Sequence, residues 1–287
     1  MGMVKTVGLV LHPQRDSKVA IDTIVEWARG RDVTVMGLPD EVGRIDCSAV
    51  SVDTETLIER ADLLVSLGGD GTMLRTMRLI SGRKTPVLGV NLGKLGFLAE
   101  IDIDELPPAL SAIDNHDYTV EPRMAVCVTL PDGTMMTAFN DIALVRIPGD
   151  GLSAVAITVE GHPFVRYAAD AVIVATPTGS TAYSFSAGGP IVSPNVEGFL
   201  VVPAAAHSSF NRAIVLSADE RVALELLPTS GRLAVEVDGA VRAHLSSGDE
   251  LTVTAMRAAA WVVRLGTTSF YERARRKLRV NGSAEVD

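Results

Sequence analysis

Apolar, β-rich segments alternate with helical segments through residues 4–90, and this alternation constrains the fold more than any other feature. The β-rich segments are 4–11, 33–36, 62–67 and 86–90. Segments 16–29 and 72–80 lie between them and carry apolar residues at helical spacing. Such an order is typical of a parallel sheet covered by helices, in which ligands bind beyond the carboxyl ends of the strands. We therefore predict an α/β domain at the start of the chain.

The pattern changes near residue 115 to short alternating strands separated by turns. This pattern predicts an all-β second domain made of two packed sheets. We place the first domain at 1–116 and the second at 117–262. The tail, 263–287, is expected to pack back on the first domain, and its basic run is interpreted as a solvated helix face.

Composition excludes several classes of protein. The chain has 287 residues, 47% of them hydrophobic, and a formal net charge of −9. An acidic chain is a poor candidate for sequence-independent nucleic-acid binding, and no apolar run is long enough to span a membrane. Two cysteines without metal spacing fit a reducing cytoplasm, and no signal peptide is expected. We predict a cytoplasmic protein with neither nucleic acid nor membrane as a partner.

The stretch 67–72 (LGGDGT) joins a predicted strand to a predicted helix. Glycines allow a backbone to approach a phosphate closely, and the free N–H groups of a new helix point at it. The carboxylate of Asp70 would be repelled there unless it holds a metal or accepts a proton from an attacking hydroxyl. Taken alone, the stretch favours a tight turn with a helix-capping Asp.

A second informative stretch runs from 170 to 190. A buried strand, 171–175, is followed by Thr-Pro-Thr-Gly-Ser-Thr and then by a Gly-Gly pair. Hydroxyls and free N–H groups at a strand end suit the sugar and phosphates of a nucleotide. A Ser/Thr-rich turn explains the stretch equally well. Ser180 does not match the G-x-S-x-G pattern, so a nucleophilic serine is not favoured.

Together these stretches resemble the NAD kinases, in both order and spacing. The motifs that carry the resemblance are GGDGT at 68–72, NLGKLGFL at 91–98, TPTGSTAY at 176–183 and the Gly-Gly pair at 188–189. GGDGT is shared with diacylglycerol kinases and related to a motif of phosphofructokinases, whereas TPTGSTAY is far more specific. The resemblance implies a Rossmann-like α/β domain followed by a β-rich domain. It also implies phosphoryl transfer from ATP to the 2′-hydroxyl of the adenosine ribose of NAD, giving NADP.

The resemblance further implies a set of site residues. Asp70 would be catalytic and accept the proton of the ribose hydroxyl. The residues implied to bind NAD are Asp70, Gly71, Arg75, Asn140, Asp141, Asp170, Thr181, Ala182, Tyr183, Ser184, Phe185, Ser186 and Ala205. Those implied to border the ATP phosphates are Gly68, Gly69, Thr72, Gly188 and Gly189. Mg²⁺ or another divalent cation would bridge the donor phosphates, without a dedicated metal site in the protein.

The chain departs from the family pattern in several places, two of which lie at or next to these site residues. Asp141 replaces the usual Glu of an Asn-Glu pair, and Ala171 replaces the usual Gly after Asp170. Two alternatives therefore stay open: a related kinase of a lipid or other small alcohol, and a non-catalytic NAD-binding sensor. A homodimer or homotetramer is expected. Asp238-Gly239 predicts a hairpin turn, near which the family places part of a neighbouring subunit's pocket.

Overall fold

The chain divides into two compact units in a computed structural model that describes residues 4–45, 47–93, 96–266 and 268–280. The first unit comprises Met1–Pro122 and Ala260–Asp287, and the second comprises Arg123–Ala259. Each unit has a hydrophobic core of its own. No helix in the described part of the chain is both long enough and apolar enough to cross a membrane.

The first unit is built on a parallel sheet. Its strands are β1 (Thr6–Leu11), β2 (Thr34–Gly37), β3 (Val50–Ser51), β4 (Leu63–Gly68), β5 (Pro86–Asn91) and β6 (Ile101–Asp102). Its helices are α1 (Lys18–Ala28), α2 (Pro39–Val42), α3 (Thr54–Arg60), α4 (Asp70–Leu79), α5 (Leu106–Asp114) and α7 (Phe270–Leu278). The strand order β3-β2-β1-β4-β5 is parallel throughout, and β6 also pairs in parallel with β5. The predicted α/β domain is confirmed.

Burial explains the pattern from which this sheet was predicted. Every residue of β4 and β5 is buried, so both strands are apolar without alternation, as strands covered on both faces are. On one face, α1 and α5 contribute Ile21, Ile24 and Leu110 to the core around Leu9 and Val65. The carboxyl ends of β1, β4 and β5 then carry the polar and glycine-rich loops.

Local details differ from the prediction at two places. Residues 37–54 lie between the predicted segments, but they include α2 and β3. A helix of four residues and a strand of two are too short to show a period, which is why no pattern indicated them. Helix α4 begins at Asp70, two residues before the predicted start, because the Gly69 carbonyl already accepts the Met73 N–H at 3.0 Å.

The second unit consists of antiparallel strands in two sheets. Its strands, of which the first begins and the last ends in residues of the first unit, are β7 (Thr119–Thr129), β8 (Met135–Ala138), β9 (Asp141–Arg146), β10 (Ala154–Val159), β11 (His162–Ala168), β12 (Ala171–Ala175), β13 (Gly198–Ala204), β14 (Ile214–Ser217), β15 (Val222–Leu226), β16 (Leu233–Val237), β17 (Ala240–Leu245) and β18 (Glu250–Arg264). One sheet has the order β14-β13-β12-β9-β16-β17. In the other, β11, β10, β15 and β18 pair in that order.

A single apolar core fills the space between these two sheets. It combines Ile142, Val174 and Val235 from the six-stranded sheet with Ile157 and Leu224 from the other. The opposite face of the six-stranded sheet packs beneath the short helix α6 (Tyr183–Ser186). The predicted β-rich second domain of two packed sheets is confirmed.

The basic run near the end of the chain forms helix α7. Ser269 caps the helix by accepting the Glu272 N–H at 3.2 Å. The run was expected to be a solvated face, but Arg273 is only 3% exposed and contacts the buried carboxylate of Glu100 at 2.5 Å. The expectation was wrong at this residue because a long-range buried partner, invisible in the local pattern, neutralises the charge.

Candidate functional site

The first candidate site lies where β4 gives way to α4. Gly69 is the N-cap of α4, so the N–H groups of the first helical turn have no partner within the helix. A Cβ on Gly68 would lie 2.1 Å from Thr72 Oγ1, so only glycine lets the first turn fold back on the strand. Thr72 Oγ1 is itself buried and has no hydrogen-bond partner among the described residues. This end of the helix therefore offers unused donors to an anion.

Asp70 is held by the backbone of the loop that follows β5. Its Oδ1 accepts the Leu98 N–H and its Oδ2 accepts the Phe97 N–H, each at 3.0 Å. A Cβ on Gly96 would lie 2.0 Å from Asp70 Oδ1, so the loop can approach the carboxylate only because Gly96 has no side chain. Gly96, which belongs to the NLGKLGFL motif at 91–98, thus leaves space for the carboxylate of Asp70. Lys94 and Leu95 of the same motif lie outside the described residues.

A cavity of about 720 Å³ opens around Asp70 in the first unit. Its lining combines cationic side chains with glycines and a single described carboxylate, that of Asp70. The lining residues are His12, Pro13, Arg15, Gly69, Asp70, Gly71, Thr72, Arg75, Arg78, Gly96 and Lys277. A cavity with this charge balance, next to free helix N–H groups, suits a polyphosphate.

His12 ends β1 and faces this cavity. Its Nδ1 accepts the N–H groups of Gln14 and Arg15, both at 3.1 Å, so the proton of the neutral ring lies on Nε2. Burial, and then the nearby guanidinium groups of Arg15, Arg44 and Arg75, lower the pKa of His12. The ring is therefore a neutral hydrogen-bond donor near pH 7.

Arg75 is fixed by a buried carboxylate. Its Nη1 donates to Glu41 Oε1 at 2.5 Å and its Nη2 donates to the Leu11 carbonyl at 2.6 Å. Glu41 Oε2 in turn accepts the Leu11 N–H at 2.5 Å. Sequence reasoning missed Glu41, because it lies in the short helix α2, which no pattern indicated. A buried carboxylate that orients an arginine on the cavity wall is a positioning residue.

In the second unit, two stretches singled out in the sequence come together. The Thr176 N–H donates to the Asn140 carbonyl at 2.9 Å, and Thr176 Oγ1 donates to the Phe139 carbonyl at 2.5 Å. A Cβ on Gly179 would lie 2.0 Å from the Asn140 carbonyl oxygen. Thr176 and Gly179 therefore allow this stretch to pack closely against the turn that presents Asn140 and Asp141.

Asp238 holds that turn from the other side. It starts the β16–β17 hairpin with a φ of +48°, which confirms the predicted turn. Its Oδ1 accepts the Asn140 N–H at 2.7 Å, and its Oδ2 accepts the Phe139 N–H at 3.3 Å. Sequence reasoning treated Asp238 as a turn residue. Its second role, as an acceptor for a strand end 98 residues away, has no local signal.

Asp141 has an unusual environment for a carboxyl group. Its side chain is almost fully buried, at 3% exposure. Burial, and then the charges of Asp238 and Glu236, raise the pKa of Asp141 to about 7, while the Tyr183 N–H opposes this increase by donating to it. Burial, followed by the charges of Glu236, Asp141 and Asp170, also raises the pKa of Tyr183. This region is anionic and suits the polar groups of a nucleoside or a cationic ring.

The other predicted residues of the second unit differ in accessibility. Ser184 is fully buried, and a Cβ on Gly189 would lie 2.4 Å from its Oγ. Gly188 has a φ of +88°, a conformation that favours glycine. Packing therefore accounts for Gly189, and backbone conformation accounts for Gly188. The predicted phosphate role of the pair stays a prediction, as does the NAD role of Ser184.

Four predicted residues remain accessible at the surface of the second unit. Asp170 is exposed and pairs with Arg146 Nε at 3.0 Å. Ala205 is exposed and has a φ of +49°. Phe185 and Ser186 are exposed as well, whereas Thr181, Ala182 and Tyr183 are half-buried. Solvent access leaves these residues available to a ligand, and their roles stay predictions.

The described residues contain no group of three or more His, Cys, Asp or Glu side chains placed to hold a metal ion. Mg²⁺ commonly keeps several waters and binds through substrate phosphates plus one or two carboxylates. A cavity lined by cationic side chains and one carboxylate therefore suits a metal ion that enters already bound to the phosphates of a substrate.

Family models match both units of the chain. The model for the ATP-NAD kinase N-terminal domain matches residues 7–118, and that for the ATP-NAD kinase C-terminal domain matches residues 139–265. The chain is 36% identical to NAD kinase 1 of Streptomyces avermitilis, with 96% of this chain and 87% of the relative covered. It is 35% identical to NAD kinase of Moorella thermoacetica, with 99% and 92% covered.

Solved structures agree with these matches. Yeast NADH kinase complexed with NADH superimposes with a TM-score of 0.88 at 27% identity, covering 100% of this chain and 91% of the other. An NAD kinase from Archaeoglobus fulgidus in complex with ATP gives a TM-score of 0.74 at 26% identity, covering 96% of this chain and 100% of the other. The likeness spans both units.

Proposed function

Because the chain belongs to the ATP-NAD kinase family, we propose that it transfers the γ-phosphoryl group of ATP to the 2′-hydroxyl of the adenosine ribose of NAD, giving NADP. One observation in the first unit carries the proposal. Asp70 is a carboxylate held by two backbone amides in a cavity whose lining includes four cationic side chains and no second carboxylate among the described residues. A cation-lined cavity binds phosphates, and a single oriented carboxylate in it is a base for a hydroxyl.

The donor phosphates bind at the N-terminus of α4. The free N–H groups of its first turn and the guanidinium groups of Arg15, Arg75 and Arg78 face the same cavity. Arg75 is held in place by Glu41, so little freedom is lost when it meets a phosphate. Magnesium enters as part of the MgATP substrate, where it neutralises phosphate charge.

Asp70 accepts the proton of the attacking hydroxyl. Of its two oxygens, Oδ1 accepts a single hydrogen bond from the described residues, so a lone pair stays available for the ribose O2′–H. As O2′ attacks, the O2′–Pγ bond forms and the bond from Pγ to the β,γ-bridging oxygen breaks. The proton passes to Asp70, and ADP leaves with the electron pair of the broken bond. Positioning and charge neutralisation supply most of such a rate enhancement.

We propose that the second unit, within the predicted limits 117–262, binds most of the dinucleotide and that the first, 1–116 with the tail 263–287, binds the donor. The NAD roles of Asp70, Gly71 and Arg75 stay predictions. The polar turn at Asn140 and Asp141, with Tyr183 and Asp170 of the same unit, supports this division. We further propose that the enzyme works in the cytoplasm as a homo-oligomer. The two free cysteines, Cys47 and Cys127, are in keeping with a reducing compartment.

The test is an assay of the purified chain with MgATP and NAD, read out by an NADP-specific dehydrogenase. NADP formation that requires both substrates is the expected result. Parallel reactions with a long-chain diacylglycerol in place of NAD test the lipid-kinase alternative. Binding of NAD without any turnover of ATP would favour the sensor and overturn the proposal.

A further inference from the structure

The strongest observation outside the family motifs is a lysine from the end of the chain that faces Asp70. Lys277 Nζ lies 3.4 Å from Asp70 Oδ2 and 4.8 Å from the centre of the Phe97 ring. It lines the same cavity as Arg15, Arg75 and Arg78. The side chain is 36% exposed, so it is neither a core residue nor a freely solvated one.

Helix α7 aims this lysine through a buried anchor one turn earlier. Arg273 is 3% exposed, contacts Glu100 Oε2 at 2.5 Å, and donates to the Ala99 carbonyl and, at 3.1 Å, to the Thr268 carbonyl. Arg264 contacts the same Glu100 oxygen at 2.7 Å. Residues four apart share one face of a helix. Anchoring Arg273 against residues 99–100 therefore turns Lys277 toward the adjoining Phe97 loop and Asp70.

The contact between Lys277 and Asp70 is weak by geometry. A distance of 3.4 Å between partly exposed groups is long for a charge-assisted hydrogen bond, which is ordinarily 2.7–2.9 Å. Lysine is a flexible point charge with three donors, and it binds phosphates well. A donor phosphate entering this cavity offers the ammonium group a stronger partner than Asp70.

Resting on the proposed function, we infer that Lys277 is a phosphate-binding residue for the donor and that its pairing with Asp70 is the resting state of the free enzyme. When MgATP binds, the ammonium group moves from Asp70 to the terminal phosphate. Asp70 then loses its counter-ion where the hydroxyl proton must be accepted. The same charge steadies the γ-phosphoryl group as the bond to ADP breaks.

The test uses two substitutions and a matched control. Lys277→Met keeps the aliphatic chain over Phe97 and removes the charge, whereas Lys277→Arg keeps the charge. Arg276→Met is the control, because it removes the same charge from the same helix. Arg276 pairs with Glu272 on the exposed surface. Melting temperatures establish that all three variants are folded.

Lys277→Met is expected to weaken ATP and tripolyphosphate binding by about 10- to 100-fold, the usual worth of a hydrogen bond to a charged group. AMP affinity and the KM for NAD stay within about 3-fold of wild type, because neither ligand carries a terminal triphosphate group. Lys277→Arg recovers most of the loss, and Arg276→Met matches wild type.

Two results would overturn the inference in an enzyme that makes NADP. Unchanged ATP and tripolyphosphate affinity in Lys277→Met would show that the ammonium group does not bind the phosphates. Equal weakening of ATP and AMP would show that the lysine only supports the loop. If wild type makes no NADP at all, the proposed function fails instead, so the two failures are distinguishable.

Discussion

Asp70 and Asp141 are both acidic residues of the candidate site, but their surroundings are opposite. Asp70, in the first unit, accepts two backbone N–H groups and lies 3.4 Å from a lysine ammonium. Asp141, in the second, is almost fully buried beside Asp238 and Glu236, and its pKa is raised to about 7. The donors and charges around a carboxyl group, more than its residue type, decide its chemical role. Asp70 is suited to accept a proton from a hydroxyl, whereas Asp141 is suited to keep its own proton and donate a hydrogen bond.

The environment of Asp141 bears on a departure that the resemblance implied, an Asp in place of the usual Glu. The carboxyl group of Asp141 lies in a buried, acidic region. Its protonated form both accepts the Tyr183 N–H and has an O–H to donate. The second unit therefore orients polar groups at neutral pH without a full negative charge at this position.

The largest expected effect comes from removing the carboxylate of Asp70. Asp70→Asn keeps the shape of the side chain but abolishes the base, so kcat falls by about 10³-fold or more. The new amide faces an N–H group, which costs about 1–2 kcal/mol of stability. The measurements are steady-state NADP formation and thermal melting.

A matched control exists in the same unit. Asp62 also accepts two backbone N–H groups, those of Lys5 and Thr6, each at 2.9 Å, but it does not line the cavity. Both N–H groups donate to the same oxygen, Oδ2, so the amide oxygen of Asp62→Asn can accept both, and we expect little loss of stability and an unchanged kcat. Equal turnover by the two variants would remove Asp70 from the mechanism.

The second prediction concerns pH and Asp141. Because its pKa is raised from 3.8 to about 7 in the folded chain, the native state holds this proton more tightly than the unfolded chain does. Its contribution to stability is complete below pH 4 and is lost as pH rises to 7, by up to about 4 kcal/mol. Asp141→Asn, whose amide oxygen still accepts the Tyr183 N–H, abolishes this loss.

Thermal unfolding followed by circular dichroism from pH 4 to pH 8 measures the effect. The difference in melting temperature between Asp141→Asn and wild type should increase in favour of the variant as pH rises. Curves that run parallel across this range would contradict the assigned environment of Asp141.

The third prediction concerns a variant that disturbs the two backbone amides around Asp70 but keeps its carboxylate. In Gly96→Ala, the new Cβ would lie 2.0 Å from Asp70 Oδ1, so the loop or the carboxylate must move. We expect kcat to fall by about 10- to 100-fold, because a displacement of 1 Å can cost about 100-fold. Gly8→Ala is the control, since its Cβ meets only the side chains of Leu64, Leu57 and Ala61, which do not line the cavity. Wild-type kcat in Gly96→Ala would show that the amides do not set the position of the base.

Asp70, Asp141 and Gly96 show which features of the molecule the sequence could predict and which it could not. The alternation of strands and helices, the glycine turn before α4 and the Asp238-Gly239 hairpin depend on neighbouring residues, so local patterns indicated them correctly. The partners of the acids are distant in the chain: Gly96 and Lys277 surround Asp70, and Asp238 holds the turn at Asn140. Contacts across 98 or 207 residues leave no period or spacing to detect. The sequence therefore predicted the fold and the candidate residues, but not their electrostatic surroundings.

The smallest effect is expected at Asp170, a third acid with a third environment. It is exposed and pairs with Arg146 Nε at 3.0 Å, with 59% and 42% of the two side chains accessible. Water screens such a pair, so Arg146→Gln should change stability by less than about 1 kcal/mol. The released carboxylate should change the KM for NAD by about 3-fold or less, and added salt should remove the difference. A larger change in KM that added salt does not remove would mean that Arg146 contacts the dinucleotide directly. Asp170 would then act through Arg146, unlike Asp70 and Asp141.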